Sequence, residues 1–517
     1  MSAEPGPSIA PAGGPMLTGG RLLARNTIIN LASEAAPFLV GLFAIPVLVQ
    51  GLGVDRYGVL TLSMIVVGYF GLFDFGLGRA ATKYIAEAAA SDDHSNIPGL
   101  FWTSLYMMLA FGTAGAILVA ALTPWLVLDI LKITPAFRPE SLHAFYLLAF
   151  AMPIVISGGS LGGTLSAYQR FDLINLVRVP SGIFAYIGPL IMLPFSHSIA
   201  WMVAVMVVGR LASWSVSIAL CLRVIPALRH NMRPSRATVR SMLRFGGWVT
   251  VSGLISPIMS YFDRFLIGAM LSVAAISYYT VPFQITGKLG IVPGAMGGVA
   301  FAAFAGSFTK DPARAMLIFE RVTRYTLLAL FAPVLILVAF APEILTLWLG
   351  AGFAAHSASV LRLLAVATFV NCLAWPPYSL IQAAHRPDLT AAFHVAEAPF
   401  YIAFLWWILP RYGIEGAAIA WLVRVSLDMI MLFAAAWRLM PRASAVIIRI
   451  AEFTCAALLI FGLCAIPTTL TAKTSCVAGV LVLFASVCWT MLLEPQEKNL
   501  AREYLRSSRH YAIGEAQ

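Results

Sequence analysis

Two glycine-rich stretches near the N-terminus, Gly51-Leu-Gly-Val-Asp-Arg-Tyr-Gly58 and Gly71-Leu-Phe-Asp-Phe-Gly-Leu-Gly-Arg-Ala80, decide the reading of this chain. The first is a short turn in which glycine lets the backbone reverse tightly. The second closes an apolar span with one acid, Asp74, among small residues that let another helix approach closely. Apolar spans flank both stretches, and little else follows them.

Composition explains why. Of 517 residues, 60% are hydrophobic and 11% charged, with a mean hydropathy of +0.86. A soluble domain carries about 25% charged residues, so lipid must be the solvent for most of this surface. Windows of about twenty apolar residues give fourteen spans: 24–49, 59–80, 99–122, 143–167, 177–195, 199–222, 245–270, 273–305, 325–348, 359–384, 389–410, 414–437, 447–468 and 474–493. The eighth is long and interrupted by Pro282 and Pro293. The expected fold is therefore an all-α polytopic membrane protein of about fourteen transmembrane helices. Residues 1–20, rich in Pro, Gly and Ala, read as a disordered tail with no cleavable signal. All six cysteines fall in or beside apolar spans without metal-like spacing, and read as small apolar residues rather than disulfides or ligands.

Basic residues set the orientation. With the N-terminus in the cytoplasm, 24 of the 34 lysines and arginines fall on the inner side. Five (Arg56, Lys132, Arg138, Arg411, Lys473) fall outside and five lie within spans, a bias that puts both termini in the cytoplasm. The net charge of +11 is thus topology, and no aromatic or base-reading residues accompany the arginines of 223–244 to suggest nucleic acid.

That arginine-rich segment also divides the chain. A shift of 220 positions aligns Pro37 with Pro257, Ile65 with Ile285, Gly78 with Gly298 and Ala80 with Ala300. The two halves share one orientation, so a parallel repeat is expected, with substrate held between the lobes. The expected organisation is an N-lobe at 21–222, a cytoplasmic basic linker at 223–244 and a C-lobe at 245–437. Spans thirteen and fourteen follow at 438–494, and a cytoplasmic tail at 495–517.

The hairpins at 26–88 and 244–307, the latter with Tyr261-Phe-Asp-Arg-Phe-Leu-Ile-Gly268 and Ala275-Ile-Ser-Tyr-Tyr279, resemble those of bacterial polysaccharide flippases. These are the Wzx-type, polysaccharide-transporter branch of the multidrug, oligosaccharidyl-lipid and polysaccharide exporter superfamily. The resemblance implies two six-helix lobes around a central cavity, plus a C-terminal helix pair. It implies a polyprenyl-diphosphate-linked oligosaccharide as cargo, flipped by alternating access across the inner membrane for O-antigen, capsule or exopolysaccharide synthesis. Membrane lipids, a polysaccharide polymerase and a chain-length regulator are the implied partners; no cofactor or metal is. A multidrug or cation antiporter and a peptidoglycan-precursor flippase share the superfamily and stand as alternatives.

Charges within spans are the candidate site residues, because each costs about 2.5–3.5 kcal/mol in mid-bilayer and must face protein or water. Lys288, Arg264 and Arg210 are candidates for holding a diphosphate or acidic sugars; the resemblance places the first two on cavity-facing helices. Glu34, Asp74 and Asp263 are candidates for a coupling ion or proton, with pairing between helices the competing role. Asp263 and Arg264, adjacent on a helix, point about 100° apart, so one is expected to face the cavity and the other to pack. Arg424 and Asp428, one turn apart, read as a local ion pair, and Glu397 with His394 as a bonded interhelical group. A membrane polymerase or glycosyltransferase, the enzyme alternative, lacks support. The largest outer loop, Pro124 to Glu140, holds only Asp129, Lys132, Arg138 and Glu140, with no nucleophile motif or metal cluster anywhere.

Overall fold

The computed structural model describes the backbone of residues 20–70, 77–90, 94–229, 232, 234, 239–242, 259, 261–308 and 311–492. Side chains are described within those ranges from residue 36 to 490, those of 67–70 and several in 292–306 excepted. Asp74, Pro257, the Glu34 side chain, the 1–19 tail and most of the basic linker lie outside the described residues.

Every regular element among the described residues is helical. Helix α1 (Gly20–Leu52) ends where Gly53 takes φ +80°, and α2 (Val54–Phe70) starts at the next residue. One glycine thus makes the whole reversal, and the second span begins at 54 rather than 59. There follow α3 (Leu77–Ala90), α4 (Ile97–Trp125), α5 (Arg138–Ala167), α6 (Phe171–Met192) and α7 (Ile199–Val224). The second half holds α8 (261–270), α9 (Val273–Gly287), α10 (Ile291–Ser307), α11 (Pro312–Ala339), α12 (Ala341–Leu349), α13 (Ala351–Leu373), α14 (Trp375–Ala383) and α15 (Pro387–Leu439). Helices α16 (Ser444–Cys464) and α17 (Leu470–Val487) close the chain. Nine helical stretches among the described residues are long and apolar enough to cross a membrane. The longest, α15, kinks at Gly413 (φ +57°), where the sequence separates its eleventh and twelfth spans.

Two packing centres organise these helices. In the first half α5 carries α3, α4 and α7, while α6 bridges α7 and α1. Gly163 of α5 lies so close to Gly78 that a Cβ there would sit 2.5 Å from the Gly78 carbonyl oxygen. This is the close helix approach that the small residues around Gly78 foreshadow. In the second half α13 carries α9, α11 and α15, and α14 joins α10 to α15. Helices α16 and α17 pack outside this lobe on α11, where Phe331 stacks on Phe484 at 4.2 Å.

The repeat is visible in one detail that a register of 220 misses. Between α5 and α6, Gln169 (φ +55°) precedes Arg170, whose guanidinium grips both oxygens of Asp172 at 2.8–3.3 Å. Between α14 and α15, His385 (φ +58°) precedes Arg386, which grips Asp388 in the same way at 2.9–3.1 Å. In each, the arginine N–H reaches back to a carbonyl five residues earlier (Leu165, Ile381) to cap the helix. Corresponding loops of the two halves thus share one turn, in a register of 216 here.

Prolines inside spans free carbonyls that other helices then satisfy. Pro282 leaves Tyr278 without its helical donor, and Ser357 of α13 donates to that carbonyl at 3.0 Å. Pro342 does the same to Val338 between α11 and α12, and Arg362 Nε donates there at 3.1 Å. The intramembrane Arg362 is accounted for by this backbone repair.

Candidate functional site

A cavity of about 340 Å³ lies between the two halves. Helices α1, α2 and α6 line one side through Phe38, Gly41, Leu42, Ile45, Met64, Ile65 and Tyr186. The other side is formed by Tyr261, the end of α9, Lys288 and Trp348 of α12. Of the described lining residues, Lys288 alone is charged.

Lys288 owes its position to a helix break. Residues Lys288–Gly290 form a 3₁₀ turn between α9 and α10. Pro293 provides no N–H for the Leu289 carbonyl, and its ring would clash with that carbonyl in a continuous α-helix. The eighth span therefore breaks four residues before Pro293, whereas Pro282 stays within α9. Lys288 is half-buried, and its Nζ lies 5.5 Å from the Phe38 ring centroid on the opposite lobe. Among the described residues no carboxylate pairs with it.

Arg264 is placed differently from the sequence expectation. It is 1% exposed and bound to the neighbouring Asp263 at 2.5 Å, while Tyr279 donates to the other Asp263 oxygen at 2.7 Å. The Phe283 ring lies 3.9 Å from the guanidinium. Adjacent residues do leave a helix about 100° apart, but the long arginine side chain curls back and closes that gap. Arg264 and Asp263 are enclosed behind Tyr261 and Phe283, which face the cavity in their stead.

Arg210 lines a separate cavity of about 360 Å³ inside the first lobe, between α5, α6 and α7. Arg178, Ser181, Ser213, Trp214 and Ser217 share it. The structure thus parts Arg210 from Lys288. In α15, Arg424 Nε lies 3.6 Å from Glu397, so its ion pair crosses the kink rather than running one turn along to Asp428. All three are buried.

At the end that charge sorting assigns to the outside, the lobes meet. Ser277 donates to the Val54 carbonyl at 2.8 Å, and Gly58 abuts the Val273 carbonyl with no room for a side chain. Lys132 bonds the Gly268 carbonyl through its N–H at 3.0 Å and the Met270 carbonyl through Nζ. Trp348 Nε1 donates to the Leu42 carbonyl at 2.6 Å. Arg56 pairs with Glu140 at 2.9 Å, whose other oxygen accepts the Ile199 N–H at 3.1 Å. Of the outer-loop charges, Lys132 thus bridges the lobes, while Glu140 ties the loop to Arg56 and to the Ile199 N–H within the first lobe. Sequence reading missed this closure, because its partners are far apart in the chain.

A family model described as "Polysaccharide biosynthesis protein" matches residues 23–308, which include both hairpins and, Trp348 of α12 apart, the residues that meet in the closure. The chain belongs to that family. A Shigella flexneri protein named "Putative O-antigen transporter" is 32% identical over 420 residues, covering 79% of this chain and 96% of that relative. Among solved structures, "Lipid II flippase MurJ, inward closed conformation" matches with a TM-score of 0.72 at 11% identity, covering 90% of this chain and 100% of that one. A structure titled "Inward-facing conformation of a multidrug resistance MATE family transporter of the MOP superfamily" matches with a TM-score of 0.67 at 16% identity, covering 81% of this chain and 98% of that one. At such identities these structures speak for the fold alone. This family member is a multi-pass membrane protein with a transporter fold, and its named relatives are transporters, not polymerases or glycosyltransferases.

Proposed function

We propose that this protein flips a polyprenyl-diphosphate-linked oligosaccharide across the bacterial inner membrane by alternating access, with both termini in the cytoplasm. The observation that carries the reading is a cavity between the lobes, cationic through Lys288 and closed at the outer end by contacts between helices. Sugar hydroxyls cannot cross hydrocarbon without losing hydrogen bonds, each worth several kcal/mol when unreplaced. A hydrated passage between the lobes replaces them while the lipid tail stays in the bilayer. Lys288 neutralises the diphosphate as it passes, with no chemistry required.

The outer-closed arrangement is one end of the cycle. Rocking the lobes apart at the outer end separates α2 from α9, breaks the Trp348, Ser277 and Lys132 bonds and opens the outer side. Arg264 belongs to the reading as a rigid support for the aromatic wall, and Arg210, beside Arg178, as a cation of a second, N-lobe cavity. Coupling to an ion or proton through Glu34 and Asp74 is part of the same proposal on sequence grounds. Asp263 does not suit that role, since its oxygens already serve Arg264 and Tyr279.

A cationic cavity disfavours a cationic drug as cargo and favours an anionic one. The O-antigen name of the Shigella relative supports a glycan over a drug. The test is a deletion strain. Lipid-linked oligosaccharide should accumulate on the cytoplasmic face and surface polysaccharide should be lost, both restored by the gene in trans. Unchanged distribution of the lipid-linked intermediate would refute the reading.

A further inference from the structure

We propose that Cys464 and Cys476 form a disulfide that clips the α16–α17 hairpin. Their sulfurs lie 3.0 Å apart across the hairpin, closer than non-bonded contact between sulfurs prefers. The bond length is about 2.05 Å, so a gap of about 1 Å separates the sulfurs from it. Cys464 is the last residue of α16 and Cys476 lies in the second turn of α17, next to the short connection 465–469. Both cysteines therefore sit at one end of the membrane-crossing helices. The sequence reading of all six cysteines as inert apolar residues does not foresee this pairing, because their separation by twelve positions says nothing of a hairpin that faces them.

The proposal rests on the orientation adopted above, which puts this end on the outer side. There thiols are oxidised, whereas in the cytoplasm the same pair would stay reduced. In the step itself each cysteine loses its S–H proton, and the two sulfurs join and give up two electrons. A disulfide-bearing thiol oxidant of that compartment accepts them and leaves as the dithiol, by exchange through a mixed disulfide.

The hairpin has reason to be clipped. It packs on the outside of the second lobe, through Phe331 and Phe369 against Phe461, Phe331 against Phe484, Arg449 to Glu320, and Lys473 to Glu343 at 2.6 Å. A covalent link between its helices holds the Phe461 and Phe484 faces in register against α11 while the lobe moves.

The full-length protein is expressed in bacterial membranes, quenched with acid, denatured and treated with a polymer-linked maleimide, with and without prior reduction. Two of the six cysteines should resist the maleimide until reduced, and Cys464→Ser or Cys476→Ser should each abolish that resistance. Trypsin cuts after Lys473, between the two cysteines, so mass spectrometry should find the flanking peptides linked in wild type and separate in either variant. Full alkylation of wild type without reductant overturns the proposal. A parallel labelling of Thr468→Cys, in the double-serine background, with an impermeant maleimide applied to spheroplasts identifies the cause. Labelled Thr468→Cys with a reduced wild-type pair means that the pairing is wrong; unlabelled Thr468→Cys means that the orientation is wrong.

Discussion

Trp348 donates its indole N–H to the Leu42 carbonyl at 2.6 Å, and that carbonyl is the one Pro46 leaves without a helical donor. A defect in a helix of one lobe is thus repaired by a side chain of the other. The same logic joins Ser357 to the carbonyl freed by Pro282, and Arg362 to the one freed by Pro342, but both of those lie within a lobe. The Trp348 bond is the instance that depends on how the lobes sit.

Trp348→Phe keeps the ring and removes the donor. Leaving a buried carbonyl unsatisfied costs about 1–3 kcal/mol, and every 1.4 kcal/mol is about tenfold in an equilibrium. The outer-closed state should lose population by that amount. A cysteine placed at Met64 in the cavity should then react faster with an impermeant reagent from outside. Unchanged reactivity would separate this bond from the closure.

Gly58→Ala should act at the same end by a different cause. A Cβ at Gly58 meets the Val273 carbonyl, a backbone atom that cannot step aside, whereas one at Gly158 meets nothing within 4 Å. Export should fall sharply in Gly58→Ala at normal membrane levels, and Gly158→Ala should behave as wild type. Equal activity of the two would argue against close α2–α9 apposition in the working cycle.

Asp263 and Arg264 should behave as a structural pair. Removing one partner of a buried ion pair costs about 3–5 kcal/mol, while replacing both with neutral groups of similar size is tolerated far better. Asp263→Asn and Arg264→Met should each lower the unfolding temperature in detergent, and the double variant should recover much of the loss. A double variant that folds well yet exports nothing would return Arg264 to the substrate path.

The helical, membrane-crossing character was legible because twenty apolar residues in a row have few other uses. The lining of the cavity was legible only in part. Hydropathy says that Lys288 and Arg264 must be shielded, but not which of them a neighbouring acid already occupies. Adjacent positions suggested divergence for Asp263 and Arg264, yet arginine is long enough to fold back. Trp348 gave no signal of its own. Pro46 marks a carbonyl in need of a donor, but the partner is 306 residues away and only the packed structure supplies it. Cys464 and Cys476 were opaque for the same reason.

Lys288 tests the central claim most directly. Lys288→Ala and Lys288→Arg are compared in a deletion strain for restored surface polysaccharide, with membrane levels of each variant measured in parallel. Loss of a charge-assisted contact of about 1.5–3 kcal/mol predicts a drop on the order of ten- to a hundredfold for Lys288→Ala. Lys288→Arg should keep part of the activity, because the charge is retained. Full export by Lys288→Ala at normal protein level would contradict a cationic cavity that works through this residue.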